Sequence, residues 1–88
     1  MSKIGRRIYA NEKGELYLAE GDYGFHPISG WQCRPFSHHA GGIGKHEVTE
    51  HEDGTITVSP SILLTDFDEQ GNTIQWHGYL EHGVWREV

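Results

Sequence analysis

Residues 73–88 read TIQWHGYLEHGVWREV, and this stretch predicts a β-hairpin. Trp76 and Leu80 are separated by an even number of positions, which is typical of residues on one buried face of a strand. Trp76 and Leu80 then share one face, and His77 and Tyr79 share the other. Glu81-His82-Gly83 supplies the turn before the chain returns.

Asp53-Gly54 predicts a second hairpin, because it separates two runs rich in β-branched residues, 45–52 and 55–59. Asp-Gly favours a type I′ turn, in which both central residues have positive φ. Ser59-Pro60-Ser61 should then interrupt the ladder, because proline has no N–H to donate.

Earlier in the chain, residues 6–10 and 15–19 are predicted to form a third hairpin, with Gly14 at a left-handed position of the loop. Trp31 to Arg34 is predicted as a short strand. No window of ten residues shows a helical period. We therefore expect a single domain over residues 1–88, mostly β, built from hairpins as a small antiparallel sheet or an open barrel.

Charge is unevenly distributed along the 88 residues, whose net charge is −6. Residues 1–46 carry +2, whereas residues 47–88 carry nine acidic residues and one basic residue, Arg86. An acidic surface repels phosphate, so nucleic-acid binding through this half is not expected. The acidic half suits a protein partner with a basic surface, and the alternatives are a phosphate mimic and, favoured by composition alone, a solvated acidic face that keeps the protein soluble. No apolar run is long enough for a signal peptide or a membrane span, so we expect a cytoplasmic protein.

The chain has seven histidines and one cysteine, which are candidate zinc ligands, because zinc binds imidazole nitrogen and thiolate sulfur. The spacings are loose, with no Cys-x2-Cys or His-x3-His pair. If zinc is bound, the expected ligands are Cys33, His38, His46 and His77. The alternative for His77 is a hydrogen bond to a serine or to a backbone oxygen.

Two further groupings have chemical potential. Ser59, Ser61, His77 and Asp66 include the residue types of a hydrolytic triad, although no Gly-x-Ser-x-Gly surrounds either serine. Trp76 and Trp85 can lie on neighbouring strands and are first expected in the core. For partner binding we expect His77, Tyr79 and Trp85, because aromatic residues dominate protein interfaces.

Three segments resemble a family of small phage and prophage proteins, some of which are labelled "ammonia monooxygenase". They are Trp31-Gln32-Cys33, Thr57-Val58-Ser59-Pro60-Ser61-Ile62 and the residues from Trp76-His77-Gly78-Tyr79 to Trp85. Relatives often carry more cysteines near the first segment, which implies a zinc knuckle. Here Cys33 stands alone, and Trp76 occupies a position that is often cysteine.

The resemblance implies a phage-encoded accessory protein and no particular reaction. We therefore expect a protein that binds a host factor, as a counter-defence inhibitor would. One alternative is a small metal-dependent enzyme with a Cys/His zinc site, and another is a structural component of the virion.

Overall fold

The computed structural model describes residues 2–36 and 40–88, and these ranges form strands and turns without a helix. The strands are β1 (Ser2–Ile4), β2 (Arg6–Ile8), β3 (Asp22–His26), β4 (Gly30–Arg34), β5 (Gly41–Gly42), β6 (Glu47–Glu50), β7 (Ile56–Phe67), β8 (Thr73–Glu81) and β9 (Val84–Glu87). They form an antiparallel five-stranded sheet, β1-β9-β8-β7-β6, and a four-stranded sheet, β2-β3-β4-β5. The predicted mostly-β fold built from hairpins is confirmed, and the described strands do not close into a barrel.

The hairpin of β8 and β9 forms as predicted, with Glu81 opposite Val84. Its two-residue turn, His82-Gly83, has φ angles of 49° and 78°. Positive φ at both positions is the signature of a type I′ turn, whose twist matches that of the flanking strands.

The hairpin of β6 and β7 also forms, but its predicted turn type is wrong. Gly54 has a φ of 87°, and Asp53 does not share the positive sign. The N–H of Gly54 donates to His51 O at 3.0 Å, and that of His51 donates to Thr55 O at 2.8 Å. This is a type I turn followed by a left-handed glycine, which needs positive φ at one residue only.

Ser59-Pro60-Ser61 interrupts the pairing of β7 with β8, as the proline predicts. Val58 lies opposite Leu80 and Ile62 lies opposite Gly78, so three residues of β7 face Tyr79 alone. This bulge changes the direction of the Ser61 side chain and carbonyl relative to a regular strand.

Of the two strands predicted for the N-terminal hairpin, the second, residues 15–19, is wrong. Gly14 does close a turn with a φ of 78°, but residues 15–19 lie outside the strands. Arg6–Ile8 pairs instead with β3, and in parallel. Gly24 permits this approach, since a Cβ there would lie 2.4 Å from Ile8 O. The predicted strand from Trp31 to Arg34 is confirmed within β4.

The core lies between the two sheets. Trp85 packs edge-on against Trp76, with ring centroids 5.6 Å apart, and against Tyr23 at 6.2 Å. The buried cluster is Tyr23, Cys33, Ile43, Ile56, Val58, Ile62, Trp76, Leu80 and Trp85. Across residues 2–36 and 40–88 we find no helix with the length and apolar character needed to cross a membrane.

Gly5 lies where the chain leaves one sheet for the other, between β1 and β2. A Cβ at this position would lie 2.7 Å from Trp85 Nε1 and 3.0 Å from Gly83 O. The crossing therefore runs directly against the β8–β9 hairpin, and only glycine fits the space.

Candidate functional site

The bulge in β7 places Ser61 between two histidines. His77 Nε2 lies 3.0 Å from Ser61 Oγ, which is a hydrogen-bond distance. On the other side, His46 Nε2 donates to the Ser61 carbonyl at 3.1 Å. The hydrogen bond predicted between His77 and a serine is therefore present, and the Ser-Pro-Ser segment is what makes it possible.

Ser61 and His77 have the separation of a nucleophile and its base, but the third member of a triad is not beside them. Leu63 is the residue opposite His77 in the ladder, whereas Asp66 pairs with Ile74, three positions further along β7. The pair also lies on an open sheet face rather than in a cleft. This geometry fits a hydrogen bond in which Ser61 orients the His77 ring, rather than a catalytic triad.

His77 lies at the centre of an exposed apolar patch on the five-stranded sheet. Leu63 lies directly across from it and is 59 % exposed. On its other side, the Val88 N–H donates to His77 O at 2.9 Å, and Val88 is 74 % exposed. Tyr79 follows two residues later on the same face, with 38 % exposure. We call Leu63, His77, Tyr79 and Val88 the outer patch.

Tyr79 is flanked by Arg86, the only lysine or arginine in residues 47–88. The two residues face each other across β8 and β9, and the guanidinium lies 5.6 Å from the ring centroid. Arg86 also forms an ion pair with Glu81. The charge of Arg86 is therefore held between an aromatic ring and a carboxylate.

The strand arrangement also explains the charge asymmetry. Residues 47–88 supply four of the five strands of the larger sheet, β6 to β9, together with the turns that connect them. Their nine acidic residues therefore belong to the sheet that carries the outer patch. Glu81 is exposed on the same face as the outer patch, whereas Glu87 lies on the opposite face with Trp85.

Of the residues expected to bind zinc, His46 and His77 both contact Ser61, but Cys33 lies apart from them. Cys33 is fully buried between the sheets, and burial raises the pKa of its thiol to about 12. His77 is on the solvent face of the other sheet, opposite in direction to the buried Trp76. His38 lies outside the described residues. Within the described part of the chain, no three His, Cys, Asp or Glu side chains are grouped to hold a metal ion.

Trp85, the third residue expected to bind a partner, is 3 % exposed and belongs to the core. Its indole N–H donates to Gly21 O at 2.9 Å. Together with Trp76 it lines a cavity of about 480 Å³ at the edge of the molecule. The other lining residues are Ser2, Lys3, Glu20, Pro35, Phe36 and Glu87.

Sequence reasoning missed this cavity, because its walls come from five separated parts of the chain. One signal was available, since Glu87 follows Trp85 by two residues and so belongs to the same face of β9.

A pair of stacked histidines, also missed, joins the two hairpin turns. The rings of His51 and His82 are parallel, with centroids 3.9 Å apart. Thr57 Oγ1 lies 2.7 Å from His51 Nε2 and accepts the His82 backbone N–H at 2.9 Å. Asp53 Oδ2 lies 3.8 Å from His82 Nε2. The two turns are thus packed against each other through polar groups.

Comparison with known proteins adds nothing to this geometry. No protein-family model, no curated protein and no solved structure matches the chain.

Proposed function

We propose that this chain is a small phage- or prophage-encoded accessory protein that binds a host protein with a basic surface. Its place of action is then the host cytoplasm, and one role of such binding is inhibition of a host defence. The phage origin is supported by the resemblance of the Trp31, Ser-Pro-Ser and Trp76 segments to small phage proteins.

The observation that carries the proposal is the outer patch on an acidic sheet. Protein interfaces combine an apolar, aromatic-rich centre with a polar border. Leu63, His77, Tyr79 and Val88 supply such a centre, and residues 47–88, which form most of this sheet, carry nine acidic residues, among them Glu81 on the same face. Because unlike charges steer association, a basic partner would be favoured in both rate and orientation.

The hydrogen bond between Ser61 and His77 supports the same function. It fixes an exposed imidazole on a paired strand, so binding orders fewer side chains and costs less conformational entropy. Tyr79 is likewise ordered by its contact with Arg86.

The proposal is tested by affinity capture from host lysate with the wild-type chain and with the variants Leu63→Ser and Tyr79→Ala. The matched control is Ile28→Ser, which removes an apolar side chain that is 91 % exposed outside the outer patch. We expect one host protein to be captured by the wild type and by the control. Its recovery should fall at least about tenfold with either outer-patch variant.

The charge component is tested by repeating the capture at increasing salt. A basic partner held by the acidic sheet should be lost progressively as its charges are screened. Equal capture by all variants, or capture that salt does not weaken, would contradict the proposal.

A further inference from the structure

The cavity between β1, β9 and the segment at Pro35 and Phe36 is separate from the outer patch and has its own chemistry. Its volume of about 480 Å³ falls in the range of ~300–1,000 Å³ that is usual for ligand sites. We propose that this cavity binds the side chain of an arginine presented by the basic partner. The inference rests on the proposed function in that the arginine belongs to that partner.

The aromatic lining is the first argument. Trp76, Trp85 and Phe36 all line the cavity, and the two indoles are perpendicular to each other. An indole attracts a cation more strongly than the other aromatic rings do, through the negative charge above its face. The three methylenes of arginine can at the same time cover apolar surface.

The charges at the rim are the second argument. Lys3 Nζ lies 3.7 Å from Glu20 Oε2, so these two charges largely compensate each other. Glu87 also lines the cavity, and its carboxylate forms no ion pair among the described residues. Among residues 2–36 and 40–88, the rim therefore carries one negative charge without an ion-pair partner beside the indole rings.

Guanidinium fits this combination better than ammonium does. It is planar and weakly hydrated, stacks on aromatic rings, and can make two parallel hydrogen bonds to one carboxylate. Glu87 supplies the carboxylate, and the aromatic surface comes from Phe36 and from the parts of the two largely buried tryptophans that line the cavity. Lysine should occupy the same cavity with lower affinity, because its ammonium is more strongly hydrated.

The test needs no partner protein. N-acetyl-arginine methylamide is added to the wild-type chain while the three indole N–H signals are followed by NMR. We expect saturable shifts of the Trp76 and Trp85 signals and a smaller response from Trp31, which does not line the cavity. The citrulline analogue has the same shape without the charge, and it should bind at least about tenfold more weakly.

Two charge variants should change arginine affinity in opposite directions. Glu87→Gln removes the uncompensated carboxylate and should weaken binding about two- to fivefold. Lys3→Gln removes a like charge from the rim and should strengthen it. Glu69→Gln, in the turn between β7 and β8, is the matched control and should leave the affinity unchanged.

Equal binding of arginine and citrulline would overturn the inference, as would an unchanged affinity in Glu87→Gln. Tighter binding of the lysine analogue would overturn the guanidinium assignment. These outcomes are independent of the outer patch, whose failure would appear only in the capture experiment. A chain with Tyr79→Ala should still show the arginine-induced shifts.

Discussion

The indole ring of Trp76 lies across the backbone of Gly78, two residues further along the same strand. A Cβ at position 78 would lie 2.6 Å from Trp76 Cη2 and 2.5 Å from Arg86 O. A glycine in the middle of a strand usually weakens the strand, and here it creates the space that one core tryptophan occupies.

Gly78→Ala should therefore destabilise the protein by about 1–3 kcal/mol, because the methyl group meets a packed ring and a backbone oxygen. Chemical denaturation followed by tryptophan fluorescence measures the loss. Gly44→Ala is the control, since a Cβ there has no atom within 4 Å and its φ is not positive. Equal denaturation midpoints for the two variants would show that Trp76 leaves room for a side chain at position 78.

Gly54→Val should destabilise by about 1 kcal/mol or more, because a β-branched residue is strained at a φ of 87°. A second cause acts at the same position, where a Cβ would lie 2.8 Å from Tyr9 Oη. Gly71→Val separates the two causes, since its φ is 82° and its Cβ would lie in open space. In urea denaturation, Gly54→Val should lower the free energy of unfolding more than Gly71→Val does. A larger loss in Gly71→Val would contradict the close contact between position 54 and Tyr9.

The Cys33 thiol should react with iodoacetamide at pH 8 only after unfolding, because it is fully buried and its pKa is raised to about 12. Mass spectrometry of the native and urea-unfolded chain measures the difference. Rapid labelling of the native chain would contradict the burial.

The same shift predicts a loss of stability at high pH. The native thiol keeps its proton above the ordinary value of 9.0, whereas the unfolded thiol releases it. The unfolded state is then favoured progressively as pH rises from about 9 towards 12. In Cys33→Ala this part of the alkaline destabilisation should be absent from the urea midpoints.

Asp53 should contribute stability at neutral pH that is lost in acid. Hydrogen bonds from the side chain and backbone N–H of Thr55 hold its pKa below the ordinary 3.8, with smaller help from His82 and His51. A carboxyl group with a lowered native pKa stabilises the fold above its unfolded pKa, and this contribution disappears as pH falls through the native value.

Asp53→Asn should thus lower the urea midpoint at pH 7 and lower it less at pH 3. Glu52→Gln, in the same turn, is the control, and its midpoint should change little at either pH. An equal loss in Asp53→Asn at both pH values would exclude the carboxylate as the cause.

The alternation of residue types predicted the parts of the fold that depend on local pattern. Trp76 and Leu80 are buried while His77 and Tyr79 are exposed, because a strand has a period of two. The His77–Ser61 hydrogen bond was also foreseeable, since proline between two serines predicts a break in the ladder close to that strand.

Non-local pairing could not be predicted in the same way. The turn before Glu15 has the residues of a hairpin loop, which predicted that β2 pairs with residues 15–19. Instead β2 pairs with β3, because the absence of a side chain at Gly24 allows Ile8 to come close. The cavity was missed for a related reason. Lys3 and Glu87 come together through the pairing of β1 with β9, and Glu20 joins them from the segment before β3, and no spacing along the chain records these contacts.

The crossing at Gly5 makes one short segment a structural part of both sheets. Residues 2–8 provide an edge strand to each of them, and Arg7 additionally donates to Gly54 O at 2.8 Å. Separating the sheets would require this segment to detach from at least one of them. Loosening of either layer is therefore transmitted to the other, so the protein should unfold as one cooperative unit despite its two-sheet architecture.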